Sequence, residues 1–102
     1  MARLLVMYKT PKDQAAFDDY YMRIHAPLAK KIPGLRKYEI SRGRVASPAG
    51  DSGCHLVAIL HFDDVEALKS GLASPEGQAA AGDLSNFASG GVDLLFFDTN
   101  EI

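Results

Sequence analysis

The sequence predicts an α+β domain whose elements run β-α-β-β-α-β. Three patterns carry that reading: four short apolar runs along the chain, an apolar helical stripe between the first two, and two helix starts between the last two. At 102 residues the chain has the size of one domain, and residues 1–102 are read as a single unit.

Leu4–Tyr8 is a continuous apolar run and reads as the first strand, buried on both sides. Thr10-Pro11-Lys12-Asp13 reads as a helix start, with Pro11 in the first turn and Thr10 or Asp13 as cap. Phe17, Tyr20, Tyr21, Ile24 and Leu28 recur at spacings of three and four, one apolar stripe along a helix. Pro27 is expected to end or kink that helix, because it removes a donor and pushes Ala26 from helical angles. Leu35–Arg42 reads as the second strand, with Arg36, Tyr38, Ile40 and Arg42 on one face.

Gly43–Gly53, rich in Gly, Ser, Pro and Ala, reads as a mobile loop. Cys54–Phe62 is the third strand. Asp63 with Glu66 resembles a capping box that opens a helix carrying Val65, Leu68 and Leu72. Ser74-Pro75-Glu76 opens another, with a capping serine, proline at the first helical position and an acid in the first turn. That helix runs through Leu84 and Phe87 to Gly90-Gly91, and Val92–Phe97 is the last strand. The order is that of the ferredoxin-like fold, an antiparallel sheet with helices on one face.

A sheet covered on one side should present a polar row on the other. Leu4–Met7, Leu56–Leu60 and Leu94–Phe97 are instead apolar on both faces. Leaving such side chains wet forgoes roughly 1.5–3 kcal/mol each, so a second copy of the chain, a bound apolar ligand, or both are expected to cover them.

The 11 basic and 13 acidic residues give a formal net charge of -2 without a long block of either sign, which argues against nucleic acid as a partner. Cys54 is the only cysteine, consistent with a reducing compartment. The N-terminal apolar run is too short for a signal peptide, and no stretch approaches the ~20 apolar residues of a membrane span. A cytoplasmic protein without membrane contact is expected.

Tyr8-Lys9, Phe17, Tyr20-Tyr21, His25, Pro27-Leu28, Lys31, Pro33-Gly34 and Tyr38-Glu39 resemble the EthD family of dimeric α/β-barrel proteins. His55-Leu56, Phe62, Ala73-Ser74-Pro75-Glu76-Gly77 and Phe87 continue the same pattern, so the resemblance spans nearly the whole chain. It implies a homodimer, the assembly that the two-faced strands suggest independently. Related barrels include cofactor-free monooxygenases, lactone isomerases and polyketide cyclases acting on small, mostly apolar or aromatic compounds.

His25 is the first candidate for chemistry. It follows Tyr21 by four residues, which places both on one helix face, and it precedes the break at Pro27. An imidazole there suits a general base for an acidic C–H or a phenol; the plainer reading is a histidine bonding free carbonyls at a helix end. The resemblance includes this histidine in its signature. Tyr21 shares its face and is taken with it as catalytic.

His55 and His61 have the same parity on the third strand, so both are expected on one face, roughly 20 Å apart and too distant to share a metal. His55 is taken as pocket-lining, beside the loop; His61 is expected at a solvated strand end. Tyr38 and Phe87 are further candidates for contact with substrate, against a plainer role in packing. Cys54 reads as a buried, inert thiol. No His, Cys or carboxylate cluster has metal-ligand spacing, and no glycine motif calls for a nucleotide cofactor. Haem chemistry is a weaker option: the chain has no Trp and no evident axial-ligand motif, though His25 or His55 has the right donor for iron.

Two functions follow. One is cofactor-independent monooxygenase-, isomerase- or cyclase-like proton chemistry on a small hydrophobic or aromatic compound, with His25 as acid and base. The other is a non-catalytic small-molecule binding or accessory protein of a degradation pathway.

Overall fold

A computed structural model describes residues 1–102. Strand β1 (Ala2–Lys9) leads to α1 (Gln14–Tyr20), a π-turn (Tyr21–His25) and α2 (Ala26–Ala29). Then come β2 (Lys37–Ile40), a small hairpin of β3 (Ala46–Ser47) and β4 (Gly50–Asp51), and β5 (Cys54–Phe62). Helices α3 (Val65–Ala73) and α4 (Pro75–Phe87) precede β6 (Val92–Asp98). The main sheet has the order β2-β5-β1-β6, antiparallel throughout, which is the ferredoxin-like arrangement expected. The segment expected as a mobile loop carries the β3–β4 hairpin.

Alternation along β1 and β5 sets the two faces. Ala2, Leu4, Val6 and Tyr8 of β1, with Leu56, Ala58, Leu60 and Phe62 of β5, are buried beneath the helices with Phe17, Leu68 and Phe87. Leu5, Met7, Val57 and Ile59 point to the open face and are only half-buried. Both faces of β6 stay open: Leu94 and Phe96, paired with the helix-side Val6 and Leu4, are each 47% exposed, as Leu95 and Phe97 are at 53% and 42%.

Two of the three helix starts differ in detail from expectation. Asp13 caps α1, accepting from the Ala16 N–H at 3.0 Å, so Pro11 lies outside the helix rather than in its first turn. Asp64, not Asp63, caps α3 through the Ala67 N–H at 2.7 Å. Asp63 instead pairs side-on with the Arg36 guanidinium at 2.8 and 3.1 Å. Ser74 caps α4 through the Gly77 N–H at 3.0 Å, with Pro75 opening the helix as expected.

The main departure lies at Pro27. Ala26 keeps helical angles (φ -59°, ψ -43°), so the proline neither ends the helix nor displaces its predecessor. The chain widens before it: the Ala26 N–H donates to the Tyr21 carbonyl five residues back. In a regular α-turn the proline ring would collide with the Arg23 carbonyl, and a π-turn relieves that crowding by taking up an extra residue. The apolar stripe shifts accordingly. Ile24, expected inside, is 38% exposed, and the buried positions run Phe17, Tyr21, His25, Ala26 and Ala29.

At the α3–α4 junction, a Cβ on Gly77 would lie 2.2 Å from the Gly71 carbonyl oxygen and 2.6 Å from that of Leu72. These are backbone atoms, which give way only if the two helices part. Gly77→Ala is therefore expected to lower stability by about 1–3 kcal/mol, read as a lower urea midpoint with an unchanged slope; an unaltered midpoint contradicts the account.

Candidate active site

The shifted stripe points His25 into the core, where its side chain is 6% exposed. There it meets Asp83 of α4, equally buried, with Nδ1 2.9 Å from Asp83 Oδ2. Asp83 is fixed from its other side: its Oδ1 accepts from the Tyr20 hydroxyl at 2.6 Å and from the Asn86 amide at 3.0 Å. These donors, together with His25, outweigh burial and hold the Asp83 carboxyl below the usual range, hence ionised. An ionised Oδ2 requires a proton on Nδ1, which leaves the Nε2 lone pair free to accept.

Burial dominates the His25 imidazole and lowers its pKa below the ordinary 6.5, although Asp83 pulls the other way. The ring is thus neutral at pH 7. Nε2 faces the Tyr8 hydroxyl at 3.4 Å, a long and weak contact. Next to Tyr8, the Tyr21 and Tyr38 hydroxyls bond to one another. Desolvation raises the pKa of all three phenols, so each remains a protonated donor at neutral pH.

His25, Tyr8, Tyr21 and Tyr38 share the wall of a largely apolar cavity of about 50 Å³, closed otherwise by residues such as Leu60, Ala80, Leu84 and Leu94. That volume holds one or two waters, or the tip of a ligand. Tyr21 is also part of the wall of a second cleft, of about 530 Å³, between α1 and the 40–56 segment.

The expected site residues divide among these features. Tyr21, Tyr38 and His25 come together at the small cavity. Phe87, expected against substrate, is on the wall of neither; it packs behind the imidazole, ring centroids 4.6 Å apart, and against Tyr8, Phe17, Tyr20 and Tyr21.

His55 lines the larger cleft and does not share a face with His61, contrary to strand parity. Tyr8 pairs with Leu56 while Lys9 pairs with Cys54, so His55 is the extra residue of a β-bulge. The bulge turns His55 to the helix side, edge-on to Phe17 (5.1 Å) with Nε2 2.7 Å from Asp18. His61 keeps the open face, 2.7 Å from Glu39, with its side chain only 11% exposed rather than solvated. Cys54 is half-buried on the cleft wall, not sealed in the core.

Asp83 was not among the expected site residues, and neither Tyr20 nor Asn86 was read as its support. One signal for it exists in the sequence: Gly77, Ala80, Asp83 and Phe87 form the buried stripe of α4, and Asp83 is the one acid on it.

Residues 9–91 match the EthD domain. An uncharacterized 11.0 kDa protein of the thcB–thcC intergenic region in Rhodococcus erythropolis is 39% identical over 103 residues, covering 100% of this chain and 98% of that protein. An ethyl tert-butyl ether D (EthD) family protein of Bacillus halodurans is 37% identical, with a TM-score of 0.89 over 98% of this chain and 99% of its own.

More distant structures share the fold. A hydroxynitrile lyase of Passiflora edulis is 18% identical (TM-score 0.76, 99% and 94% covered). The cofactor-independent oxygenase SnoaB of Streptomyces nogalater is 19% identical (TM-score 0.69, 99% and 94% covered). A dimeric ferredoxin-like protein of Thermobifida fusca is 13% identical (TM-score 0.68, 96% and 90% covered). The match over most of its length and the two close relatives show that the chain belongs to the EthD family.

Proposed function

We propose that this protein binds a small hydrophobic or aromatic compound and moves a proton on it, with His25 as acid and base and no nucleotide cofactor. The observation that carries this reading is the buried Asp83–His25 pair on the wall of an apolar cavity, with Nε2 turned to the Tyr8 hydroxyl. A C–H or phenolic O–H at the cavity gives its proton to Nε2, displacing the weak Tyr8 contact. The imidazolium that forms is stabilised by the Asp83 carboxylate on its far side. The electron pair left on the substrate delocalises onto oxygen, and the Tyr21 and Tyr38 hydroxyls are the donors at hand for that charge. Phe87 holds the ring from behind, and His55 contributes to the adjoining cleft. An oxygenation, isomerisation or cyclisation begins with such a step. A hydroxynitrile lyase and a cofactor-independent oxygenase share the fold, which supports an enzymatic role for this scaffold without choosing among reactions.

We also propose a homodimer joined through the open sheet face and β6, in a single-domain cytoplasmic protein. The exposed Leu94–Phe97 run and the half-buried Leu5, Met7, Val57 and Ile59 support it, as does the dimeric relative. No helix is long and apolar enough to cross a membrane.

Mass spectrometry of the compound that co-purifies supplies a substrate for the decisive comparison. His25→Ala is expected to lower its turnover by about 10²–10⁴-fold while the fold is kept. Asp83→Asn is expected to lose about tenfold or more through kcat, with KM little changed. Unchanged turnover in His25→Ala overturns the His25 mechanism, whereas a compound that is bound but never turned over by the wild type leaves the non-catalytic binding or accessory role.

The rate has a further signature in pH. The base works only when neutral, and its pKa is depressed, so the acid limb of kcat/KM falls below pH 6.5. Stability follows the same sign. The unfolded chain takes up the His25 proton first, so stability is full above pH 6.5 and declines as pH falls through the lower folded value. His25→Gln is expected to flatten that part of the pH–stability curve, and a curve of unchanged slope contradicts the burial argument.

Light scattering at micromolar concentration is expected to give twice the mass of one chain. The double variant Ile59→Lys/Leu95→Lys is expected to give one, and a monomeric wild type rules out the dimer.

A further inference from the structure

Resting on the proposed function and narrowing its substrate class, we infer that the larger cleft recognises an organic carboxylate through Arg42 and Arg44. Both are exposed residues on its wall. Neither forms an ion pair, whereas Arg23 and Arg36 are matched with Asp19 and Asp63. The cleft contains two acids, and both are already engaged: Asp18 holds His55 at 2.7 Å, and Asp51 Oδ1 accepts the Gly53 N–H at 3.2 Å. Two arginines without an ion pair thus border a cleft in which each carboxylate already accepts one hydrogen bond.

The rest of the wall suits an apolar body. Met22, Ile40, Val45 and Leu56 supply hydrocarbon surface, and the volume of about 530 Å³ lies in the range of small-molecule pockets. Planar, always-charged guanidinium groups match a carboxylate by paired N–H donors. Tyr21 forms part of this wall and of the cavity holding His25. A ligand anchored by its carboxylate at the arginines has its other end directed to the Tyr21 wall, the side on which the proton acceptor lies. The small cavity alone takes only the tip of such a molecule, so the cleft must hold the body.

Benzoate, with the neutral benzamide as its near-isostere, tests this by titration calorimetry and by the shifts of the arginine side-chain N–H signals. Benzoate is expected to bind at least tenfold more tightly than benzamide and to move the Arg42 and Arg44 signals. Arg42→Gln/Arg44→Gln is expected to weaken benzoate at least tenfold, while Arg36→Gln, at the distant Asp63 pair, leaves it unchanged. Equal affinity for benzamide, retention of benzoate by the double variant, or absence of benzoate binding overturns the inference. Displacement of benzoate by equal concentrations of inorganic phosphate also overturns it, since the pair would then be a general anion site. The titration reads affinity and not turnover, so its failure is distinguishable from failure of the His25 mechanism, which shows only in rate.

Discussion

The candidate site depends on one constraint, the widened turn that precedes Pro27. A regular α-helix from Gln14 would centre the buried face near Phe17 and Ile24 and leave His25 toward its edge, on the Tyr21 side. The π-turn adds a residue to the circuit, so Ile24 leaves the core and His25 enters it. A buried imidazole needs a partner, and the only acid on the facing stripe of α4 is Asp83. Tyr20 and Asn86 then follow as consequences, because an ionised carboxylate taken out of water needs its second oxygen satisfied as well.

This arrangement is poorly explained as a device for stability. Moving a charged group out of water costs several kcal/mol, and well-packed apolar residues of similar volume often do as well or better. The histidine is held neutral by burial although a carboxylate sits beside it. These opposing influences leave a base that is uncharged at pH 7 yet stabilised once it gains a proton. A group balanced between its two states in an apolar cavity is what proton transfer requires. A purely structural role would be met equally by one buried hydrogen bond.

Much of the fold was legible because it rests on local signals. The βαββαβ order, β5 at Cys54–Phe62 and the Ser74-Pro75 helix start all follow from periodicity and capping within a few residues. The departures each come from a non-local or off-period event. The π-turn breaks the 3.6-residue period, so the stripe read through Ile24 is one residue out. The bulge opposite Tyr8–Lys9 breaks the two-residue period, so His55 and His61 part company. Asp83 and His25 lie 58 positions apart, and only the packing of α4 against the π-turn joins them. Tyr21 was legible beside His25 because four residues separate them on one segment. Its bond to Tyr38 was not, since it depends on the register of β2 with β5.

The open strand β6 ties the assembly to the chemistry. The helices leave both of its faces exposed, and Leu94, half-exposed on the helix side, belongs to the wall of the cavity that holds His25. In the proposed dimer, a second copy covering β6 would remove water from that side of the cavity. Burial is already the largest influence on His25, so further exclusion of water would strengthen the pull toward the neutral ring. The Asp83 attraction strengthens at the same time, because the local dielectric falls. Dimerisation would then sharpen the balance between the two states of the base. The apolar residues that call for a partner and the residues proposed for proton transfer are, on this account, parts of one design.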